Sequence, residues 1–311
     1  MRFAIVKCHG SGNDFPMIDA RDLSLSETEW AGVARALADR AGPVGGDGIL
    51  LLVPGDKGAA FGMVMRNSDG SEAETCLNGV RCVARAGFEA LAIDAATVKL
   101  KTSYADARHD ADLAPGVYTV RETAGPAGLS TTAWPIHGAP ERLVDAVLPM
   151  LDAGRRFTAV TMPNPHLVHF VETVDEAALV RLGTICEAAP DWLPNRANVS
   201  FVEVRGDALF VRTFERGVGL TDSCGSAMAA STYAACLTGR IGWDVPTVVF
   251  NRGGLVRAFA GADGMVTLSG NATYEWAGSV EVDLTTETAS DLVVDRHFLD
   301  EIAAWEAAKC G

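Results

Sequence analysis

Residues 213–239 read TFERGVGLTDSCGSAMAASTYAACLTG. From Gly225 to Gly239 the stretch holds no charged residue, and Ala227, Ala229, Ala230, Ala234 and Ala235 make the segment thin. A helix uncharged on every side and rich in small residues is enclosed by other elements. A strand-like run and a polar Gly-containing loop lead into it, and the loop ends at Cys224. A second stretch, MRNSDGSEAETCLNGVRC (65–82), repeats that order. There the loop ends at Cys76, and apolar residues at 77, 80, 83, 84, 88 and 91 follow at helical spacing, with Arg81, Arg85 and Glu89 on a polar side. The lead-ins 65–76 and 213–224 are each twelve residues long. The reading is an α+β fold of two pseudo-symmetric halves, each a curved, mostly antiparallel sheet around a central helix.

Outward from these stretches, short β-rich runs alternate with Gly/Asp/Asn turns. RFAIVKC (2–8), GILLLV (48–53), FGMVMR (61–66), ATVKLKTS (96–103) and GVYTVRE (116–122) are strands of the first half. FTAVTM (157–162), HLVHFVE (166–172), NVSFVEV and ALFVRTF joined at Arg205-Gly206-Asp207, and the strand-rich run 247–270 belong to the second. The halves comprise 1–127 with 275–311, carrying Cys76, and 128–274, carrying Cys224, with a linker near AGPAGLST (124–131). Ser26-x-x-Glu29 is a capping box ahead of WAGVARALADR, and 140–151 and 174–188 carry helical periodicity. In the tail, Leu292, Val293, Phe298, Leu299, Ile302 and Trp305 predict an amphipathic helix that docks on the protein or on a second copy, which leaves a homodimer open.

A net charge of −14 leaves no basic face, so nucleic acid and anionic membrane surfaces are not expected partners. The start MRFAIVKCHG enters a strand pattern directly, and no apolar run is long enough to span a bilayer, which predicts a cytoplasmic protein. The seven cysteines include no C-x-x-C pair and read as reduced thiols. Cys82 and Cys236 lie among apolar neighbours as core residues, and Cys8 reads the same way. His166 and His169 are close in a strand with no third ligand, so no metal is expected. HGSGNDF (9–15) lacks the third glycine and the following helix of a dinucleotide fingerprint.

Thr75 before Cys76, and Asp222-Ser223 before Cys224, are capping types, which places each thiol in the first turn of its helix. Helix N–H groups and the dipole there shift a thiol toward thiolate and hold a carboxylate. Two such ends facing across a cleft would bind one carboxylate and put a sulfur on each face of the adjacent carbon. A thiolate on one side removes a proton and a thiol on the other delivers one, which inverts the centre. The weak carbon acid needs its developing charge stabilised by those N–H donors in a water-poor site. A redox pair would use the same two sulfurs.

The sequence resembles the diaminopimelate epimerase family over roughly residues 1–285. The resemblance rests on K-x-H-G-x-G-N-D-F (7–15), GGDG (45–48), N-S-D-G-S-E-A-E-x-C-x-N-G-x-R-C (67–82), N-P-H (164–166), N-V-S-F (198–201) and R-x-F-E-R-G-V-G-x-T-x-x-C-G (212–225). It implies a cofactor-independent amino-acid epimerase converting LL- and meso-2,6-diaminopimelate for lysine and cell-wall synthesis, with Cys76 and Cys224 as acid and base. It implies that the N–H groups of Leu77, Asn78, Gly225 and Ser226 hold the reacting carboxylate and that His166 and Glu215 lie near the reacting amino group. Asn13, Asn67, Asn164, Asn198 and Arg216 would read the distal amino-acid end, the arginine by a bidentate contact. The chain departs from the family at Leu77, Pro163, Leu220 and Ser226-Ala227, which motivates another amino acid such as histidine as the alternative substrate. A ligand-binding or redox-sensing protein on the same scaffold is the reading from another class.

Overall fold

The computed structural model describes residues 1–162 and 164–309, so Pro163 and Cys310 lie outside the described residues. The chain forms two units, Met1–Glu122 with the C-terminal segment from Ser269, and Thr123–Leu268.

In the first unit β1 (Arg2–Gly10) and β2 (Asn13–Asp19) pair antiparallel about a two-residue turn. Ser11 (φ 53°) and Gly12 (φ 82°) both take the left-handed conformation, the type I′ geometry whose twist matches flanking strands. HGSGNDF is therefore a hairpin corner. Gly10 serves another need: a Cβ there would lie 2.7 Å from the backbone oxygen of Asn78. α1 (Glu27–Ala38) begins with the capping box in place, Ser26 accepting from the Glu29 N–H and Glu29 from the Ser26 N–H. It leads to β3 (Gly48–Asp56), parallel to β2, and β4 (Ala59–Asn67) returns antiparallel. α2 (Leu77–Leu91) crosses to β5 (Ala95–Lys99), parallel to β4, and β6 (Tyr104–His109) and β7 (Thr119–Thr123) follow antiparallel.

The second unit runs through the same sequence of steps. β8 (Ala146–Leu148) pairs with β9 (Asp152–Thr161), and β9 forms an antiparallel pair with β10 (Pro165–Val171). α3 (Glu176–Glu187) leads to β11 (Asn198–Arg205), parallel to β10, and β12 (Ala208–Glu215) returns antiparallel. β13 (Gly219–Thr221) folds back on β12, and α4 (Gly225–Leu237) crosses to β14 (Thr247–Phe250), parallel to β12. β15 (Leu255–Ala260) is antiparallel to β14, and the chain leaves the unit along β16 (Val266–Asn271). Hairpin, helix crossover, hairpin and helix crossover thus occur twice in one order. A side-chain detail recurs with it: buried Arg66 of β4 bonds Glu27 in the first turn of α1, and buried Arg212 of β12 bonds Glu176 in the first turn of α3.

Each enclosed helix packs against several strands of its own unit. α2 contacts β1 through β6, and α4 contacts β9, β10, β11, β12, β14 and β15. α4 is buried from Gly225 to Cys236, as its small uncharged residues predict. Cys8, Cys82 and Cys236 are buried core residues.

Two expectations give way. Residues 140–151 form bends and the short strand β8 rather than a helix. Asp145 sits at φ +41°, and Pro149 has no N–H to continue a helical ladder, while Leu143, Leu148 and Leu151 still enter the core around α3. In the tail, Leu292 and Val293 belong to β18 (Thr288–His297), which pairs with β17 (Thr273–Asp283), itself antiparallel to β1. Only α5 (Leu299–Lys309) is helical there, and it docks on its own unit. Trp305 is buried beside the His9 ring at 5.8 Å, and Glu301 pairs with Arg85 of α2 at 2.5 Å.

Candidate active site

Both candidate thiols sit one residue earlier than expected: Cys76 is the N-cap of α2 and Cys224 the N-cap of α4, each with extended backbone. The cysteine itself takes the capping position that Thr75 and Ser223 were expected to fill. At Cys76 the sulfur accepts from the Gly79 N–H at 3.4 Å. At Cys224 no side-chain capping bond closes.

In the first unit Asn13, Cys76 and Asn78 come together. Asn13 stands at the head of β2, where the I′ turn delivers it, and its Oδ1 lies 3.6 Å from the Cys76 sulfur and 3.4 Å from Asn78 Nδ2. Asn78 is buried in the first turn of α2, and the Leu77 side chain beside it is also buried. Asn67 stands at the end of β4, paired with Gly48 next to Asp47. Its side chain donates to Ser71 Oγ at 3.0 Å and its backbone closes the same loop, as a turn asparagine does.

In the second unit Asn164, His166, Asn198 and Arg216 form a chain. Parallel pairing of β10 with β11 sets His166 beside Asn198. His166 Nε2 meets Asn164 Oδ1 at 2.9 Å and Asn198 Nδ2 at 3.4 Å, and Asn198 Oδ1 accepts from the Arg216 N–H at 2.7 Å. The Arg216 guanidinium donates to the Asn195 carbonyl at 3.1 Å. Glu215, at the end of β12, accepts from Thr221 Oγ1 at 2.5 Å. Cys224 lies 3.5 Å from Ser226 Oγ. Gly225, Ser226 and Ala227 are buried in the first turn of α4, and Leu220 is partly exposed on β13.

The electrostatics correct one expectation. Cys224 is not shifted toward thiolate: burial raises its pKa well above the ordinary value, and the charge and hydrogen bond of Glu215 add to the rise. Ser226 and the Ala227 N–H pull the other way and lose. Desolvation of a charged sulfur outweighs the pull of a helix start when a carboxylate lies beside it. His166 is fully buried and its pKa falls to about 3, through burial first and the Arg216 charge second, so the ring is neutral near pH 7.

Sequence reasoning missed two residues of this neighbourhood, Asp47 and Arg81. Asp47 Oδ2 accepts from Asn13 Nδ2 at 2.5 Å, and Arg81, fully buried, donates to Asn78 Oδ1 at 2.7 Å. Both stood inside quoted motifs, GGDG and NGVRC, without an assigned part.

The sequence profile of the family described as Diaminopimelate epimerase matches residues 5–106 and 158–275, which carry every residue placed above. The chain belongs to that family. A diaminopimelate epimerase of Listeria welshimeri is 36% identical over 309 residues, covering 95% of this chain and 94% of its own. The diaminopimelate epimerase of Clostridium acetobutylicum is 36% identical over 286 residues, covering 90% of this chain and 86% of its own. Among solved structures, a PhzF-family phenazine biosynthesis protein of Bacillus anthracis superposes with a TM-score of 0.66 at 13% identity, covering 91% of this chain and all of its own. A hydroxyproline epimerase of Agrobacterium vitis with bound trans-4-hydroxy-L-proline gives 0.62 at 14%, covering 99% of this chain and 97% of its own. At such identities these two share the fold. The mixed α and β architecture is therefore that of the diaminopimelate epimerases and their structural neighbours, and the family profile ends at residue 275, ahead of β18 and α5.

Proposed function

We infer that this member of the family is an isomerase, a diaminopimelate epimerase interconverting the LL and meso forms of 2,6-diaminopimelate without pyridoxal phosphate. One observation supports this above others. Cys76 and Cys224 cap the enclosed helix of their units at the same step of a repeated topology, in a chain 36% identical over 95% of its length to a diaminopimelate epimerase. The same reading places the protein in the cytoplasm, working on a free amino acid, and allows for a homodimer.

In this reading one sulfur, as thiolate, takes the Cα proton, and the electron pair spreads into the substrate carboxylate. The other sulfur, as thiol, returns a proton on the opposite face. The N–H groups of Leu77, Asn78, Gly225 and Ser226 stabilise the charged carboxylate. Glu215 explains when the base forms at Cys224. Burial first, and the Glu215 charge with it, hold that thiol protonated. A substrate ammonium beside Glu215 cancels the charge and lowers the thiol's pKa, so the thiolate arises with the ligand in place. Neutral His166 adds no repulsion to that ammonium. Asn13, Asn67, Asn164, Asn198 and Arg216 read the distal end.

The test is proton NMR in D₂O of freshly reduced protein with LL-diaminopimelate, and in parallel with histidine, lysine and glutamate. The expected result is loss of the α-proton signal with growth of the meso isomer, slowed by roughly 10² or more in each of Cys76→Ala and Cys224→Ala. Exchange with another amino acid alone assigns Leu77, Leu220 and Ala227 to substrate choice. No exchange with any of them leaves a ligand-binding protein.

A further inference from the structure

Two asparagines surround Cys76, and charged neighbours decide which way each amide points. A carboxylate only accepts and a guanidinium only donates. The Asn13 atom at Asp47 Oδ2 is therefore its NH₂, and the Asn78 atom at Arg81 is its carbonyl. The two assignments agree, because they leave Asn13 Oδ1 facing Asn78 Nδ2 at 3.4 Å. They also leave a carbonyl oxygen, an acceptor, 3.6 Å from the Cys76 sulfur. A thiol donates its proton to that oxygen, whereas a thiolate would face it unfavourably.

Asp47 is itself held. Its Oδ1 accepts from Arg40 at 2.7 Å, and Arg40 also bonds both oxygens of Asp14. The Asp14 N–H donates to Asp47 Oδ2 at 3.2 Å, and the Asp47 N–H donates to the Asp14 carbonyl at 2.8 Å. Lys7, buried on β1, donates to Asp14 and to the Gly45 carbonyl, each at 2.5 Å. The GGDG loop is thus clamped to the head of the strand that carries Asn13.

We propose that Asp47 is a positioning residue that locks the Asn13 amide carbonyl toward Cys76 and so keeps this sulfur protonated until substrate binds. The proposal rests on Cys76 being an acid/base residue. The charged groups on the elements around the thiol include Lys7 and His9 on β1, Asp14 on β2, and Arg40 and Asp47 ahead of β3. Glu72 and Glu74 stand on the loop before the cysteine, Arg66 on β4, and Arg81 and Arg85 on α2. Several are already spoken for: Lys7 and Arg40 by Asp14, Arg66 by Glu27, Arg81 by Glu122, and Arg85 by Glu89 and Glu301. Asp47 acts through the amide rather than by its own charge on the sulfur.

Replacing Asp47 by asparagine in the wild-type chain and again in Asn13→Ala separates the two, because the lost charge acts in both and the amide only in the first, so an equal shift in both overturns the proposal. Arg40, a charged donor at 2.7 Å, outweighs the neutral Asp14 N–H at 3.2 Å in claiming the one remaining carbonyl, so an NH₂ faces Asn13. That turns the Asn13 carbonyl away from Cys76 and its NH₂ toward the sulfur, which favours thiolate. The experiment follows the pH dependence of iodoacetamide alkylation at Cys76 by peptide mass in the full chain, with circular dichroism as the check on folding. In Asp47→Asn the midpoint falls by about one pH unit, and in Asn13→Asp, which puts a carboxylate at the sulfur, it rises by about as much. A folded Asp47→Asn protein with the wild-type midpoint overturns the proposal. If Asp47→Asn does not fold, an unchanged or lowered midpoint in Asn13→Asp overturns it. Alkylation needs no substrate, so this result stands apart from whether any amino acid exchanges its α-proton.

Discussion

His166 shows how much a single buried ring settles. It has no exposed surface, and its buried Nδ1 has no hydrogen-bond partner among the described residues. Folding therefore requires the neutral form, with a pKa lowered from 6.5 to about 3. In the unfolded chain the ring takes up a proton below pH 6.5 that the native ring refuses. The stability from neutral burial is thus complete above pH 6.5 and lost as pH falls toward about 3. His9, lowered to about 4 by burial, acts with the same sign. Glu122, pushed up to about 7 by burial against the pull of Arg81, acts with the opposite sign, its stability lost as pH rises through that value. In His166→Gln, the stability lost between pH 7 and pH 5 should shrink by about 1–2 kcal/mol in urea unfolding. An unchanged difference would mean that the native ring does not stay neutral. Residue types were legible in the sequence at this scale, and residue states were not. The polar set from Asn13 to Ser226 stood in readable motifs, but the raised pKa of Cys224 depends on burial and on Glu215, nine positions earlier. Asp47 escaped notice because its part depends on which face of an amide it meets.

Among the elements, α4 is the most constrained. Ala227, Ala229, Ala230, Ala234 and Ala235 are all at or near zero exposure, so each Cβ meets packed strands rather than water. Ala230→Leu should destabilise the protein by about 1–3 kcal/mol, read as a lower denaturant midpoint with an unchanged slope. Val180→Leu, at an exposed position of α3, should fall within about 0.5 kcal/mol. A site-independent response would remove α4 from the core. Composition made this helix readable, since charge was missing from every face, and Ser26-x-x-Glu29 made the start of α1 readable through its bonds. Periodicity alone misled at 140–151. There, buried Leu143, Leu148 and Leu151 serve irregular backbone as well as they would a helix. It misled again in the tail, where β18 takes Leu292 and Val293.

At the scale of the whole molecule, the repeat of topology was legible from two matching lead-ins, because a thiol before an enclosed helix is a rare enough order to notice twice. The partner of β1 was not legible, since strand pairing over a long separation leaves no local trace. Arg2 pairs with Glu281 and the ladder continues to His9 with Thr273, whereas Thr123–Leu268 is continuous in sequence. That arrangement dictates an order of assembly. On the ribosome, β1 emerges with β2 on one side and nothing on the other, and at about 5–20 residues per second its second neighbour follows roughly 15–50 seconds later. In refolding, where the whole chain is present from the start, the long separation of β1 from β17 still slows closure of the first unit, so the contiguous unit should protect its amides first in pulsed hydrogen exchange; protection of β1 ahead of β10–β12 would refute this. Through that interval the nascent chain presents an open, apolar sheet margin, the kind of template that recruits neighbouring chains. Growth temperature and expression rate should therefore govern soluble yield more strongly than the stability of the finished fold does.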